Sequence, residues 1–256
     1  MRKFIILLLS VWTVLVGCGG RGGSTSNTTP SIKEYTIPTS SSYPSGGIIT
    51  GPDGNLWFTE YEGSKIGKIT PAGVITEYAL SSGTIPYGIT SGPDGNLWFT
   101  EYGTGKIGNI TTAGVITEYA LSSSEAGPNG ITSGSDGNLW FIECLGNKIG
   151  KITTKGLITE YPLTTTDSYP ESITLGPDDN LWFTEYRTGT IGKITTTGSI
   201  TEYATTTANS CPMGITSGSE VISGLWNRTA TISGKSPRQG WLPSMQFQLP
   251  LVYLTI

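Results

Sequence analysis

An all-β fold of repeated four-stranded sheets is predicted by three observations: a phrase that recurs at a fixed period, turn residues set between short apolar runs, and a composition poor in charge. The phrase reads GPDGNLWFTEY at 51–61, GPDGNLWFTEY at 92–102, GSDGNLWFIEC at 134–144 and GPDDNLWFTEY at 176–186. Its tryptophans, Trp57, Trp98, Trp140 and Trp182, are spaced 41, 42 and 42 residues apart. Charged residues make up 13% of the 256, about half the usual share, while 36 Gly and 15 Pro supply turns. A period near 42 in such a chain predicts the blades of a β-propeller, each one four-stranded sheet.

The second unit shows each element in order. Its β-like runs are Gly88 to Thr90, Asn96 to Glu101, Lys106 to Thr111 and Val115 to Leu121. Pro93-Asp94-Gly95, the stretch 102–105 and Thr112-Ala113-Gly114 separate them, so the unit is an up-and-down meander. Leu97-Trp98-Phe99-Thr100 and Ile107-Gly108-Asn109-Ile110 leave apolar side chains on both faces, as a sheet wedged between neighbouring sheets requires. Four units are complete. A lone outer strand at Ile32 to Ile37 and a lone inner strand at Gly214 to Thr216 are expected at the two ends of the array.

In a meander, the turns one-to-two and three-to-four lie at one end of the blade. The two-to-three loop and the link to the next blade lie at the other. The first end carries near-constant GPDG and TTAG-type turns, whereas the second varies from unit to unit. Residues shared by every repeat are most simply architectural, so a specific site must come from the differences, and the variable end is the candidate ligand face. There the residue after the inter-blade proline is Ser45, Tyr87, Asn129, Glu171 and Met213 in turn. Tyr61, Tyr102, Tyr186 and Arg187 lie in the loops after strand two, and with Tyr87, Asn129 and Glu171 they are candidate ligand-binding residues. Glu60, Glu101, Glu143 and Glu185 end strand two at the same end. They are read either as hydrogen-bonding groups within each turn or as a carboxylate ring able to hold a cation. The tryptophans recur at a core position and are read as blade packing; Asp53, Asp94, Asp136 and Asp178 are turn residues with no assigned function.

The N-terminus reads MRKFIILLLSVWTVLVGCGG, a basic start and an apolar stretch too short to span a bilayer, hence a secretory signal over residues 1–18. Its Leu15-Val16-Gly17-Cys18 ending resembles a bacterial lipobox, which implies that Cys18 is lipidated; an ordinary signal with an incidental cysteine is the alternative. Residues 19–31 read as a flexible tether and 32–219 as the propeller repeats. The expected location is the cell envelope, exported and lipid-anchored to a bacterial membrane. Cys144 and Cys211 occupy different places in non-adjacent units and are not expected to pair. A net charge of −4 with no basic run excludes a nucleic-acid footprint. A monomer with a small-molecule or cell-envelope ligand is expected.

The unit GPDGNLWFTE…KIGKIT…G.ITEY resembles that of the virginiamycin B lyase (streptogramin lyase) family, over roughly residues 32–218. The resemblance implies a seven-bladed propeller, a magnesium ion, and opening of the ester ring of streptogramin B antibiotics by C–O elimination. It also implies a lyase site of histidines with a glutamate beside the metal, and this chain has no histidine. No catalytic residue is therefore assigned, no cofactor is expected in this form, and magnesium enters only if the chain is a lyase. The expectation is a non-catalytic binding or scaffold module. The alternatives are a streptogramin B lyase and a sugar- or protein-binding propeller.

After Ser219 the phrase stops. Residues 220–256 fit a frameshift: triplets that start on the old third bases permit GNLWF over Glu220 to Leu225. Trp226-Asn227 then forces glutamate and Met245-Gln246 forces alanine, both where the repeat has them. A divergent terminal cap is the alternative.

Overall fold

The computed structural model describes residues 4–6, 33–205, 210–218 and 222–226, with backbone only for 4–6 and 222–226. Cys18, the tether and most of the stretch 220–256 lie outside the described residues.

Four antiparallel four-stranded sheets follow one another as blades. Blade 1 contains Ile48–Thr50, Leu56–Glu60, Lys65–Ile69 and Ile75–Ala79; blade 2 contains Pro86–Ser91, Leu97–Glu101, Lys106–Ile110 and Ile116–Ala120. Blade 3 contains Pro128–Ser133, Leu139–Glu143, Lys148–Ile152 and Ile158–Pro162; blade 4 contains Pro170–Leu175, Leu181–Glu185, Thr190–Ile194 and Ile200–Ala204. Strand order follows chain order in every blade, and the first strands of successive blades are neighbours, which is the propeller arrangement.

Alternation along strand two assigns its side chains to opposite faces. In blade 1 Trp57 and Ile66 face blade 2, where they meet Leu97, Phe99 and Ile110 in one buried cluster. Trp98 and Ile107 meet Leu139, Phe141 and Ile152 in the same way, and Trp140 and Ile149 meet Leu181, Phe183 and Ile194. The core is thus a series of interfaces between blades. Each large side chain removed from water there contributes on the order of 1.5–3 kcal/mol.

The tryptophan is also held at its polar edge. Trp57, Trp98, Trp140 and Trp182 donate their indole N–H groups to Asp53, Asp94, Asp136 and Asp178 at 2.9, 3.1, 3.1 and 2.9 Å. The turn aspartates therefore give the buried indole its hydrogen-bond partner as well as making the turn. Each indole stacks on the strand-four tyrosine of its own blade, as Trp98 does on Tyr119 with ring centroids 5.7 Å apart.

The ends of the array differ from the expectation. Lys33–Tyr35 is not alone: it pairs antiparallel with Phe4–Ile6, a strand inside the stretch read as a signal. Tyr35 and Ile37 cover Phe58 and Ile69 of blade 1, the face that in later blades meets the preceding tryptophan. Gly214–Ser217 is not alone either. It pairs with Ile222–Trp226, so the backbone hairpin of strands one and two continues after the phrase has ended, because ladder pairing needs backbone groups and not the phrase itself. Cys144 and Cys211 are unpaired.

Candidate functional site

The inter-blade link and the loop after strand two lie together at one end, tied by backbone hydrogen bonds. The N–H groups of Tyr61, Tyr102, Cys144 and Tyr186 donate to the carbonyls of Tyr43, Ile85, Gly127 and Tyr169 at 3.1, 3.0, 3.2 and 3.1 Å. Each of these four acceptor residues precedes the inter-blade proline and has a positive φ, 49° at Tyr43, 50° at Ile85, 58° at Gly127 and 52° at Tyr169, as does Cys211 before Pro212 at 44°. Left-handed backbone at tyrosine or isoleucine is strained, and the bond from the neighbouring loop helps to hold it. This conformation starts each first strand at the variable end.

There the first strands surround a solvent-open cavity of about 300 Å³ whose walls include Tyr87, Asn129, Glu171 and Met213. Four of the five residues that follow an inter-blade proline thus converge on one space. Around them stand backbone from Gly46, Gly88 and Gly130, where an added Cβ would meet neighbouring backbone at 2.3, 2.6 and 3.2 Å. Glycine lets adjacent inner strands approach closely. Inter-blade bonds set the spacing: Thr59 Oγ1 donates to the Tyr87 carbonyl at 2.8 Å, and Thr100 Oγ1 to that of Asn129 at 2.6 Å.

Of the candidate tyrosines Tyr87 lines the cavity, whereas Tyr61, Tyr102 and Tyr186 are not among its lining residues. Tyr61 meets Tyr87 edge-on at 6.1 Å, and Tyr186 meets Tyr169 edge-on at 6.4 Å. Tyr102 and Tyr169 both pack against the cluster that contains Cys144, and burial, the leading cause, raises all three above their ordinary pKa values. Burial, then the Glu171 charge, likewise raises Tyr87. Glu171 is half-buried and its carboxyl is raised by burial alone. Arg187 lies outside the cavity, paired with Asp167 and set over the Tyr169 ring at 4.9 Å from its centroid.

The carboxylate ring does not form. Glu60, Glu101, Glu143 and Glu185 are 0% exposed, each within its own blade. The loop after strand two closes over the side chain: a Cβ at Gly63 would stand 3.1 Å from Glu60 Oε2, and one at Gly146 only 2.7 Å from Glu143 Oε2. Thr104 donates to Glu101 Oε2 at 2.9 Å and Thr188 to Glu185 Oε2 at 3.2 Å, the within-turn role. The nearby lysines are committed to strand four, with Lys65–Glu77, Lys106–Glu118 and Lys148–Glu160 at 2.7, 2.6 and 2.6 Å. Burial, the leading cause, pushes all four strand-two carboxyls up to about 7. Among the described residues no three His, Cys, Asp or Glu side chains come together as a metal-holding group.

Two residues at this end of the blades, Tyr169 and Cys144, were not singled out from the sequence as site candidates. Tyr169 precedes its proline, and the variable series Tyr43, Ile85, Gly127, Tyr169 and Cys211 is as legible as the series after the proline. Cys144 stands where the other units have Tyr61, Tyr102 and Tyr186, a departure visible in the repeat.

The sequence model of the virginiamycin B lyase family matches residues 31–230. Among solved structures, selenomethionine-substituted virginiamycin B lyase from Staphylococcus aureus is 46% identical, with a TM-score of 0.73 over 75% of this chain and 66% of that one. A streptogramin B lyase is 46% identical, with a TM-score of 0.70 over 73% and 62% of the two chains. A catalytically inactive variant of the S. aureus enzyme, one histidine replaced by alanine, was solved with quinupristin; it too is 46% identical, with a TM-score of 0.73 over 75% and 66%. This chain therefore spans somewhat less than two thirds of the length of these relatives. No curated protein sequence matches it.

Proposed function

The chain belongs to the virginiamycin B lyase family, and we propose that in this form it is a binding propeller, holding a small molecule in the inner-strand cavity without opening it. One observation carries the reading. The 256 residues contain no histidine, whereas the S. aureus relative is inactive when a single histidine becomes alanine. Elimination needs a base placed at the proton to be removed and a group that stabilises the developing charge. The four carboxyls raised to about 7 have a suitable pKa but are fully buried. Glu171 is the acidic residue lining the cavity, and no cluster of metal donors accompanies it among the described residues.

The test is incubation of the purified mature protein with quinupristin, with and without magnesium. Elimination leaves the mass unchanged, so ring opening is read as a new chromatographic peak of equal mass. The expected result is saturable quenching of aromatic emission with no new peak. Ring opening above a protein-free control favours the lyase, with Glu171 as the first residue to replace.

The same proposal anchors the exported domain to a bacterial membrane in the cell envelope through lipidated Cys18, supported by Leu15-Val16-Gly17-Cys18 and the tether that follows. Metabolic labelling with a fatty acid should mark the wild-type chain and not Cys18→Ser. Equal labelling of both removes the anchor from the proposal.

A further inference from the structure

We propose that the cavity selects a cationic ligand, an ammonium group seated against the Tyr87 ring with the Glu171 carboxylate as its counter-charge. The inference rests on reading this cavity as a ligand site and adds the charge of what it takes.

The wall is one-sided in charge. Among the residues that line it, Glu171 carries a formal charge, and no lysine or arginine is present. The Glu171 side chain has no hydrogen bond or ion pair among the described residues, although it is half-buried. The nearby guanidinium, Arg187, is already engaged by Asp167 and Tyr169. A half-buried carboxylate without a counter-charge is costly, and an arriving cation removes that cost, whereas an anion adds to it. The strand-two glutamates of the same end differ, because their loops seal them from any ligand.

The remaining walls suit an alkylammonium rather than a hydrated metal ion. Tyr87 lines the cavity and brings an aromatic ring of the kind that attracts a cation, and Ile89, Ile131 and Ile173 bring apolar surface for alkyl groups. Asn129 is buried, lines the same space and has an amide free to orient a polar substituent. No group of three His, Cys, Asp or Glu side chains gathers among the described residues, and Glu171 is the one carboxylate in this wall.

The experiment compares choline with 3,3-dimethyl-1-butanol, which has the same shape and no charge, by calorimetric or NMR titration of the mature domain. Wild type should bind choline about tenfold more tightly than the alcohol, and Glu171→Gln, which keeps the shape, should abolish the difference. Tyr87→Leu should weaken choline and spare the alcohol, while an unchanged melting curve shows that each variant folds. Equal binding of the two probes, absence of choline binding, or a preference that survives Glu171→Gln overturns the proposal. Quinupristin titrated in the same assay separates the two readings: if it binds and choline does not, the ligand-site reading stands and the proposal of a small ammonium against Glu171 fails.

Discussion

Phe99 lies across Gly108, its partner in the ladder between strands two and three of blade 2, so closely that a Cβ at Gly108 would stand 2.1 Å from Phe99 Cζ. The same contact recurs at Gly67 with Phe58, Gly150 with Phe141 and Gly192 with Phe183, at 2.2, 2.1 and 2.0 Å. The glycine is what lets the ring lie flat on its own sheet and fill the interface with the preceding blade.

Gly108→Ala therefore forces the ring out of its place between blades 1 and 2. The expected loss is about 1–3 kcal/mol, as for other overpacked cores. Urea unfolding of the purified domain checks it; an unchanged midpoint would show that the blade interface absorbs a methyl group without cost.

Acidity should stabilise the domain over a defined window. The carboxyls of Glu60, Glu101, Glu143 and Glu185 are raised from 4.5 to about 7 by burial, so the fold favours their neutral form. Their contribution is complete below the unfolded value and is lost as pH rises through about 7. At ~1.4 kcal/mol per pKa unit the loss is on the order of a few kcal/mol per group. Glu77, Glu160 and Glu202 act in the opposite sense. Burial raises them, but hydrogen bonds from Lys65 and Thr39, from Lys148 and Ser122, and from Thr164 and Thr165 outweigh it and leave them lowered, so their contribution is lost in acid. Melting temperature should fall from about pH 4.5 to about pH 7 and level off above that, and Glu101→Gln should flatten the slope. A slope that Glu101→Gln leaves unchanged removes the carboxyl from the explanation.

Thr100 joins two blades through one hydroxyl. It accepts the Gly88 N–H at 2.9 Å and donates to the Asn129 carbonyl at 2.6 Å. Thr100→Val keeps the shape and leaves both backbone groups unsatisfied, with an expected cost of about 1–3 kcal/mol in thermal or urea unfolding. Blade 3 carries Ile142 at this position, so the branched apolar side chain fits and the fold survives. A variant as stable as wild type would show that the bridge is replaceable.

The nucleotide sequence across codons 220–248 should spell the repeat in the frame that starts on the old third bases, with GAA at the Trp226-Asn227 junction and GCA at Met245-Gln246. The bases decide it directly. A frame that does not read GNLWF over Glu220 to Leu225 leaves a divergent cap as the account of this stretch.

Blade number, strand order and core were legible because they depend on periodicity. Trp98 and Phe99 are neighbours in sequence and must face opposite ways in a strand, so an apolar residue at both positions requires a sheet on each side. The site was legible in part. Tyr87, Asn129 and Glu171 were found as differences at one repeat position, and they line one cavity. Glu60 and its equivalents were left between two readings because their depth depends on how the next loop folds over them, which strand alternation does not describe. Tyr169 and Cys144 were passed over because they meet Tyr102 across blades.

The sequence by itself determined that the chain builds four equivalent blades, and which end of them varies from unit to unit. Repetition constrains every unit to the same local hydrogen bonds and the same two apolar faces. Only the tertiary structure decided which variable side chains share a space and which carboxylates are sealed away. Residues 42 apart in sequence become neighbours only when the first strands stand side by side, and a side chain's exposure belongs to that assembly.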